Sequence, residues 1–265
     1  MLKPYLTVAA VLAACAGGIA RAEQDVAKLR KAGEKLLSRL PKIDPSFQRT
    51  VYFEIAMGPK PVGWAVSTTG AAKSGGKACY EYTSEMTLGA PNGTKIVGKV
   101  TALLDRYLCP RKVMLDRTVI SPDGQKARTV DETVTGAKQI VLKRTVNGET
   151  TERKVPRPKG RFVFDVEALH VLLPFEAGQR FILSDLDPQE GTLTDRTYSV
   201  TKTPTGNLRI DSSAQRATGE FAFYVLDAKR QIVAFGMRFG SGRPGPSFKA
   251  VTKQRWAEVK RAVGD

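Results

Sequence analysis

The residue types that most often carry catalysis are scarce in this chain of 265 residues. It contains a single histidine, His170, and three cysteines. A serine or cysteine nucleophile with a histidine base needs histidine, and so do most catalytic zinc sites. One histidine within the short apolar segment 168–172 indicates a packed side chain. The sequence therefore predicts no catalytic residue, no metal, no cofactor and no enzymatic activity.

Three glycine-rich segments match nucleotide or nucleophile motifs only in part. Residues 240–245 satisfy G-x-G-x-x-G, but Pro244 and Pro246 prevent the helix that would hold a pyrophosphate. The loop 70–77 has the wrong spacing for a phosphate loop. Residues 74–77 fit S-x-x-K without the helix start that this nucleophile needs. All three segments are interpreted as turns or loops.

A pair of carboxylates is the remaining arrangement that would support hydrolysis. Glycosidase-type acid/base chemistry needs two carboxylates about 5–10 Å apart in a cleft. Asp185 and Asp187 lie close together in the sequence, although a solvated loop is the more common use of such a pair. A hydrolase that uses carboxylates alone is the third functional hypothesis.

The first 22 residues have the pattern of a bacterial export signal. Lys3 precedes an apolar run over residues 5–15, and small residues lead to Ala22. Residues 12–15 also match the lipobox of bacterial lipoproteins, so two cleavage sites remain open. Cleavage after Ala22 gives a soluble protein, whereas cleavage before Cys15 gives an acylated residue that anchors the domain to a membrane. Both predict an exported, periplasmic domain.

Positive charge dominates the remainder of the chain. Without residues 1–22, which include Lys3 and Arg21, 40 Lys and Arg face 26 Asp and Glu, a net charge near +14. This excess attracts anionic surfaces, which outside the cytoplasm are membrane headgroups or acidic wall polymers. The predicted export and the lack of a nucleic-acid recognition motif argue against nucleic acid as a partner. Five charges within nine residues are the candidate contact, with a solvated loop as the alternative: Arg153, Lys154, Arg157, Lys159 and Arg161.

Cys79 and Cys109 follow the predicted signal, and an oxidising compartment would allow them to pair. If segments 79–88 and 95–104 form a hairpin, Cys79 lies opposite the end of the second segment. Cys109 then lies several residues further along, beyond the reach of a disulfide. The bond requires the chain to bend back near Pro110, so both states remain open.

Alternating apolar residues predict that antiparallel strands form most of the chain. The alternation begins at Val51, and segments 79–88 and 95–104 give the clearest hairpin. A second hairpin is predicted from segments 221–226 and 232–239. Regularly spaced turn signals between these hairpins predict a meander. They are Ser121–Gly124, Thr135–Ala137 and Asn147-Gly148.

Three amphipathic or capped segments predict helices, over residues 25–40, 166–173 and 253–263. The first has a leucine-rich face of the kind that packs on a sheet. The predicted fold class is mainly β, with a curved antiparallel sheet or half-open barrel that wraps one or two helices. Residues 23–265 are predicted to form a single domain.

Several short motifs follow the same order as in a known group of periplasmic proteins. They are Val51–Ile55 with Pro61–Gly63, Cys109-Pro110 before a strand that leads to Asp123-Gly124, and Asp165–Pro174 with Gly178–Phe181. The chain resembles the LolA/LolB-like superfamily of lipoprotein carriers, and more closely the periplasmic domain-of-unknown-function 3108 family. The resemblance implies a sheet that holds an acyl chain on its concave side. It supplies no site residues, and the high positive charge and Trp256 depart from it.

The first functional hypothesis is therefore a non-enzymatic binding domain of the cell envelope that holds a lipid or lipoprotein acyl chain. Aromatic or flexible apolar residues of the predicted strands are the candidate cavity liners, with ordinary core packing as the alternative for each. They are Tyr80, Tyr82, Met86, Phe221, Phe223, Phe235 and Met237. The second hypothesis is an adaptor or structural protein whose basic surface binds anionic lipid or wall polymer.

Overall fold

The computed structural model describes residues 25–90, 92–164, 167–214, 221–238 and 244–263. The predicted export signal, with Cys15 and both cleavage sites, lies outside these residues. Within the described chain, fourteen strands form one antiparallel sheet, accompanied by three helices. The prediction of a mainly β fold with an N-terminal and a C-terminal helix is confirmed.

The elements follow the chain in a simple order. Helix α1 covers residues 25–38, α2 covers Glu167–Leu172 and α3 covers Lys253–Val263. The first eight strands are β1 (Gln48–Met57), β2 (Lys60–Ser74), β3 (Lys77–Gly89), β4 (Lys95–Leu104), β5 (Pro110–Ile120), β6 (Lys126–Thr135), β7 (Gln139–Val146) and β8 (Glu149–Pro156). The remaining six are β9 (Arg180–Leu186), β10 (Leu193–Lys202), β11 (Leu208–Ala214), β12 (Phe221–Leu226), β13 (Ile232–Arg238) and β14 (Pro244–Val251).

The sheet consists of two meanders joined by a single strand pair. Strands β1 to β8 pair in sequence order, and so do β9 to β14. The two meanders meet where β1 pairs with β14, with Tyr52 opposite Val251. Both predicted hairpins are present, as β3 with β4 and β12 with β13.

The sheet is strongly curved. Eleven strand spacings separate β6 from β9, roughly 53 Å in a flat sheet. Nevertheless, Thr133 of β6 donates a hydrogen bond to the carbonyl oxygen of Pro188, in the turn after β9. The side-chain amide Nε2 of Gln189 in the same turn donates to Asp131 Oδ2 at 2.7 Å. Arg153 of β8 also forms an ion pair with Glu190 in the same turn, but the end strands β8 and β9, both described throughout, do not pair, so the sheet is a half-open barrel.

A hydrophobic core fills the middle of the concave face. It contains side chains from both meanders, such as Phe53 and Tyr198, which are fully buried. Helix α1 contributes Leu36 and Leu37, and Leu169 of α2 is also fully buried. The two helices therefore occupy the concavity that the sheet encloses. Among the described residues, no helix has the length and apolar character required to cross a membrane.

Helix α1 also covers the free edge of β9. The Ser184 carbonyl oxygen accepts a hydrogen bond from the Val163 amide and therefore points away from β10. The carbonyl groups of every second residue along β9 point the same way. Ile182 lies two residues before Ser184, so its carbonyl oxygen also points away from β10. Gly33 lies directly against this oxygen. A Cβ atom at position 33 would fall well inside 3.0 Å of that oxygen. Arg30 secures the helix through an ion pair with Asp195.

The sequence pattern does not predict strands β2 and β14. Strand β2 includes residues 70–74 of the loop expected over residues 70–77. Gly63 is required in this strand because a Cβ there would clash with the Thr87 carbonyl oxygen. Strand β14 begins at Pro244 inside the expected turn and contains Pro246. Its pairing with β13 is irregular between Gly236 and Arg238, which accommodates residues that cannot donate to a regular ladder.

Candidate functional site

Three of the predicted cavity liners belong to the packed core. Tyr80, Tyr82 and Phe235 are only 2%, 2% and 4% exposed. The Phe235 ring stacks on the ring of Phe248, with centroids 3.9 Å apart, and on that of Tyr224 at 5.4 Å. These three residues are therefore ordinary core residues, which is the alternative given for each of them in the sequence analysis.

Phe223 lies on the convex face, so its prediction as a cavity liner is wrong. Its ring covers Gly236, where an added Cβ would be 2.8 Å from a ring carbon. The guanidinium of Arg209 lies 4.6 Å from the ring centroid. Alternation along β12 places its neighbour Tyr224 on the concave face instead. The side chain of Phe221 lies outside the described residues.

Met86 and Met237 lie on the concave face beyond the fully buried core. Met86 packs against the edge of the core and is half-buried. Met237 pairs with Ala222, which also packs against the core, and is itself 40% exposed. The same face continues towards the β3–β4 and β5–β6 turns as half-buried apolar side chains. We call this region the open end; it comprises the half-buried Met86, Leu88, Ile96, Leu115 and Val119, together with the exposed Met237.

The open end combines an apolar floor with the positive charge of Arg117. Gly98 makes room in the floor, because a Cβ there would be only 3.3 Å from the Met86 terminal methyl carbon. Arg117 pairs with Gly98 in the β4–β5 register and is exposed. Residues opposite each other in an antiparallel pair share a face, so Arg117 lies beside this apolar floor.

A second cavity lies at the opposite end of β1, where residues 48–51 of β1 continue past the end of β14. Pairing between β13 and β14 begins only at Ala234 with Lys249. Beyond that pair the strands diverge around a cavity of about 550 Å³, which we call the β14 notch. It is lined by residues 49–52 of β1, residues 231–233 at the start of β13, residues 250–252 at the end of β14, and Arg255 of α3.

Arginine side chains surround the β14 notch. Arg49 Nη1 donates to the Arg230 carbonyl oxygen at 2.9 Å, which links β1 to the β12–β13 turn. Arg230 in turn donates to the carbonyl oxygens of Leu173 and Phe175, at 2.9 and 2.8 Å. Arg255 Nη2 lies 2.8 Å from Glu54 Oε2. The notch is therefore lined by strand residues and by two arginine side chains, Arg49 and Arg255.

Cys79 and Cys109 are buried free thiols in the structure. The chain does bend back before Pro110, since Leu108 has a φ of 63° and the Asp105 amide donates to the Cys109 carbonyl oxygen at 2.9 Å. Strand β4 separates β3 from β5, however, so Cys79 and Pro110, the residue after Cys109, lie on strands two spacings apart, roughly 10 Å. A disulfide allows about 7 Å between Cα atoms. Burial raises the pKa of Cys109 to about 11 and also raises the pKa of Cys79.

The predicted basic cluster is divided between strand β8 and the following loop. Arg153 forms an ion pair with Glu190 at 3.1 Å, and Lys154 forms one with Glu152 at 3.5 Å. The guanidinium carbons of Arg157 and Arg161 lie 5.7 Å from the Phe162 ring centroid and 4.1 Å from that of Tyr107. Lys159 is exposed. Four of the five charges therefore have partners within the chain.

Asp185 and Asp187, the two carboxylates considered for hydrolysis, both form hydrogen bonds within the chain. Asp185 Oδ2 accepts a hydrogen bond from Arg196 Nε at 3.0 Å. Asp187 Oδ1 accepts the backbone amide hydrogens of Gln189 and Glu190 in the turn after β9. Among the described residues, no group of three His, Cys, Asp or Glu side chains is placed to hold a metal ion. His170 is fully buried and stacks on Tyr224, with ring centroids 3.4 Å apart.

Asp131 is a buried polar centre that the sequence analysis does not identify. It is 5% exposed, accepts a hydrogen bond from Arg144 Nε at 2.6 Å, and also binds Gln189. The sequence feature that points to it is the pair of opposite charges Asp131 and Arg144, which lie directly opposite each other in the β6–β7 hairpin. Together with Thr133, Asp131 fastens the turn after β9 to the other end of the sheet.

No family model matches the chain, and no curated protein matches it. Among solved structures, the chain is similar to the crystal structure of a beta-barrel-like protein of the domain of unknown function DUF1849 from Brucella abortus. The TM-score is 0.49 at 8% identity, over 79% of this chain and 98% of that chain. That protein is of neither family named above. The resemblance to the LolA/LolB-like superfamily and to the 3108 family stays a prediction.

Proposed function

We propose that the protein is a non-catalytic binding domain of the cell envelope that holds the acyl chain of a lipid or lipoprotein at the open end of its curved sheet. The observation that carries this proposal is the continuation of the apolar concave face past the filled core. Ile96 and Val119 are directly paired on this face and are only half-buried. Met86 and Met237 add flexible side chains that adapt to a chain-like ligand.

The apolar area is sufficient for useful affinity. Each buried methylene contributes about 0.8 kcal/mol, so eight methylenes would supply roughly 6 kcal/mol before the cost of ordering the chain. The exposed Arg117 lies beside the floor and would neutralise an anionic headgroup. The inner part of the concavity is already filled by α1 and α2. The ligand therefore lies against the open end while the core remains intact.

Three further features agree with this function. The predicted export signal directs the domain to the compartment in which lipoproteins are sorted. The net charge near +14 of the remaining chain attracts it to anionic headgroups. The resemblance to periplasmic lipoprotein carriers implies the same ligand class. All three of these supporting arguments rest on the sequence.

The test uses fluorescently labelled dodecanoate as the probe and two neighbouring residues as a matched pair. Ile96→Asp places a charge on the concave floor and should weaken binding at least tenfold. Val97 is 38% exposed on the convex face, so Val97→Asp should leave the affinity unchanged. Equal affinities of the two variants would contradict the proposed site. Absence of saturable binding by the unaltered protein, with no lipid found by mass spectrometry, would refute the function.

A second candidate function is attachment to an anionic envelope surface. It rests on the net charge and on the exposure of strand β8, in which every residue except Val155 is exposed. Salt-sensitive binding to phosphatidylglycerol vesicles, unchanged in Ile96→Asp, would favour this function over acyl-chain binding. Loss of vesicle binding in that variant would favour the carrier.

A further inference from the structure

A small pocket lies between the C-terminal part of α1 and the start of β9. Its volume is about 160 Å³, and its buried lining consists of Leu36 and Phe181, which are 4% and 2% exposed. Three positively charged side chains also line it and are exposed: Lys35, Arg39 and Arg180. Because the pocket is smaller than the roughly 300–1,000 Å³ of sites for drug-sized ligands, it suits a small charged group. We call it the α1–β9 pocket.

The three positive charges are not compensated by the residues around them. Neither Lys35 nor Arg39 nor Arg180 forms an ion pair or a side-chain hydrogen bond with a residue that the structure describes. Arg30 of the same helix, in contrast, is paired with Asp195. Among the described residues that line the pocket, none is acidic. Like charges held close together repel each other, so a bound anion would relieve this repulsion.

The end of α1 opposes an anion only weakly. The carbonyl groups of a last helical turn amount to roughly half a negative charge. Two of those in α1 already accept hydrogen bonds, the Lys35 carbonyl from the Ser38 hydroxyl and the Leu36 carbonyl from the Arg39 amide. Three full positive charges outweigh this partial charge, so the electrostatic potential in the pocket is positive.

Gln179 adds a neutral donor whose position is fixed. Its Oε1 accepts a hydrogen bond from the Glu176 amide at 3.0 Å, and its carbonyl oxygen accepts one from the Val200 amide at 2.9 Å. The side chain is half-buried and lines the pocket. Its Nε2 group is left as a donor, with no hydrogen bond to a described residue. The side-chain groups available at the pocket are therefore donors, which favours an anion with several acceptor oxygens.

We propose that the α1–β9 pocket binds a terminal phosphate group, of the kind present in inorganic phosphate and in lipid headgroups that end in phosphate. Such a group carries a charge of about −1.5 to −2 and has three strong acceptor oxygens. Arg39 and Arg180 bind phosphate oxygens through paired hydrogen bonds, and Lys35 contributes a point charge. A carboxylate has fewer oxygens and a smaller charge, so it would leave more of the positive charge uncompensated.

This site does not rest on acyl-chain binding. None of the open-end residues, all of which the structure describes, lines the α1–β9 pocket. No residue of β8, which is also described throughout, lines it either, so the site differs from the surface considered as the second candidate function. Binding of dodecanoate at the open end and binding of phosphate at this pocket can therefore fail separately.

The first measurement is isothermal titration calorimetry with inorganic phosphate at low ionic strength. The unaltered protein should bind phosphate saturably. Arg180→Gln should lower the affinity by about tenfold, because a charge-assisted pair of hydrogen bonds is lost. Arg261→Gln removes the same charge from an exposed position on α3 and should leave the affinity unchanged. Absence of saturable binding, or an equal loss of affinity in the two variants, would overturn the proposal.

Vesicle binding distinguishes the two sources of the phosphate group. Phosphatidic acid ends in a phosphate, whereas the phosphate of phosphatidylglycerol is esterified on both sides, and the two kinds of vesicle are matched in surface charge. A preference for phosphatidic acid that Arg180→Gln abolishes and Arg261→Gln preserves would assign the pocket to a lipid headgroup. Equal binding to both vesicles, with phosphate bound in calorimetry, would assign it to free phosphate. Ile96→Asp should retain the affinity for phosphate, which keeps this test independent of the open end.

Discussion

Replacing Gly33 by alanine tests whether α1 seals the edge of β9. In the interior of an exposed helix this replacement stabilises a protein by about 1 kcal/mol, because alanine is the better helix former. In this structure the added Cβ would fall well inside 3.0 Å of the Ile182 carbonyl oxygen and 2.9 Å from Leu183 Cδ2. The backbone oxygen belongs to a paired strand and cannot turn aside, so the helix itself must shift.

The magnitude follows from these two opposing effects. Overpacking of a close contact costs about 1–3 kcal/mol, and a clash with backbone belongs at the upper end of that range. Subtracting the gain in helix propensity leaves a net destabilisation of about 2 kcal/mol. In a domain of this size 1 kcal/mol corresponds to about 2–4 °C in Tm. We therefore expect Tm to fall by about 4–8 °C in Gly33→Ala.

The measurement is thermal unfolding followed by circular dichroism, with urea unfolding as a second estimate of the free energy. Ala27→Gly is the control, because Ala27 is exposed on the same helix and its replacement should cost about 1 kcal/mol through helix propensity alone. A rise in Tm of Gly33→Ala, as expected for a helix that touches nothing at this position, would refute the docking of α1 on β9.

Two further predictions concern buried polar groups. Asp131→Asn should lower the free energy of unfolding in urea by about 1–3 kcal/mol, because it weakens the buried bonds to Arg144 and Gln189. Asp116→Asn, in a more exposed ion pair, should cost less than about 1 kcal/mol, and equal costs would contradict this reasoning. Because burial raises the pKa of Cys109 to about 11, the folded state retains its proton where the unfolded thiol loses it. The free energy of unfolding of the unaltered protein should therefore decline relative to Cys109→Ala as pH rises from about 9 to about 11, and parallel urea curves for the two proteins would contradict this.

The sequence predicts the hairpins well because their turns fix the register. The chain around Gly93 turns with a φ of 81°, and this sets the pairing of β3 with β4. Cys79 consequently lies within one residue of its predicted position, since Tyr80 is opposite Leu104. The helix over residues 25–38 is likewise predicted from its leucines, of which Leu36 and Leu37 are buried as expected.

The candidate site is less predictable, because alternation gives two faces of a strand without saying which one is concave. Phe223 and Phe235 both belong to apolar faces in the sequence, but only Phe235 packs inside. The β14 notch depends on where β14 ends relative to β1, and Pro244 and Pro246 hide β14 itself in the sequence. Such differences in strand length between distant segments have no local signal in the sequence.

The connection of the two meanders through β1 and β14 has a consequence for folding kinetics. Every other strand pair joins neighbours in the chain, whereas Tyr52 and Val251 are separated by almost the whole domain. Contacts between such distant residues form slowly, because a long loop must close before any pairing energy is gained. The two meanders are therefore expected to form first and to associate in a slower step. Helix α1 is translated first, yet it can cover β9 only after that step is complete.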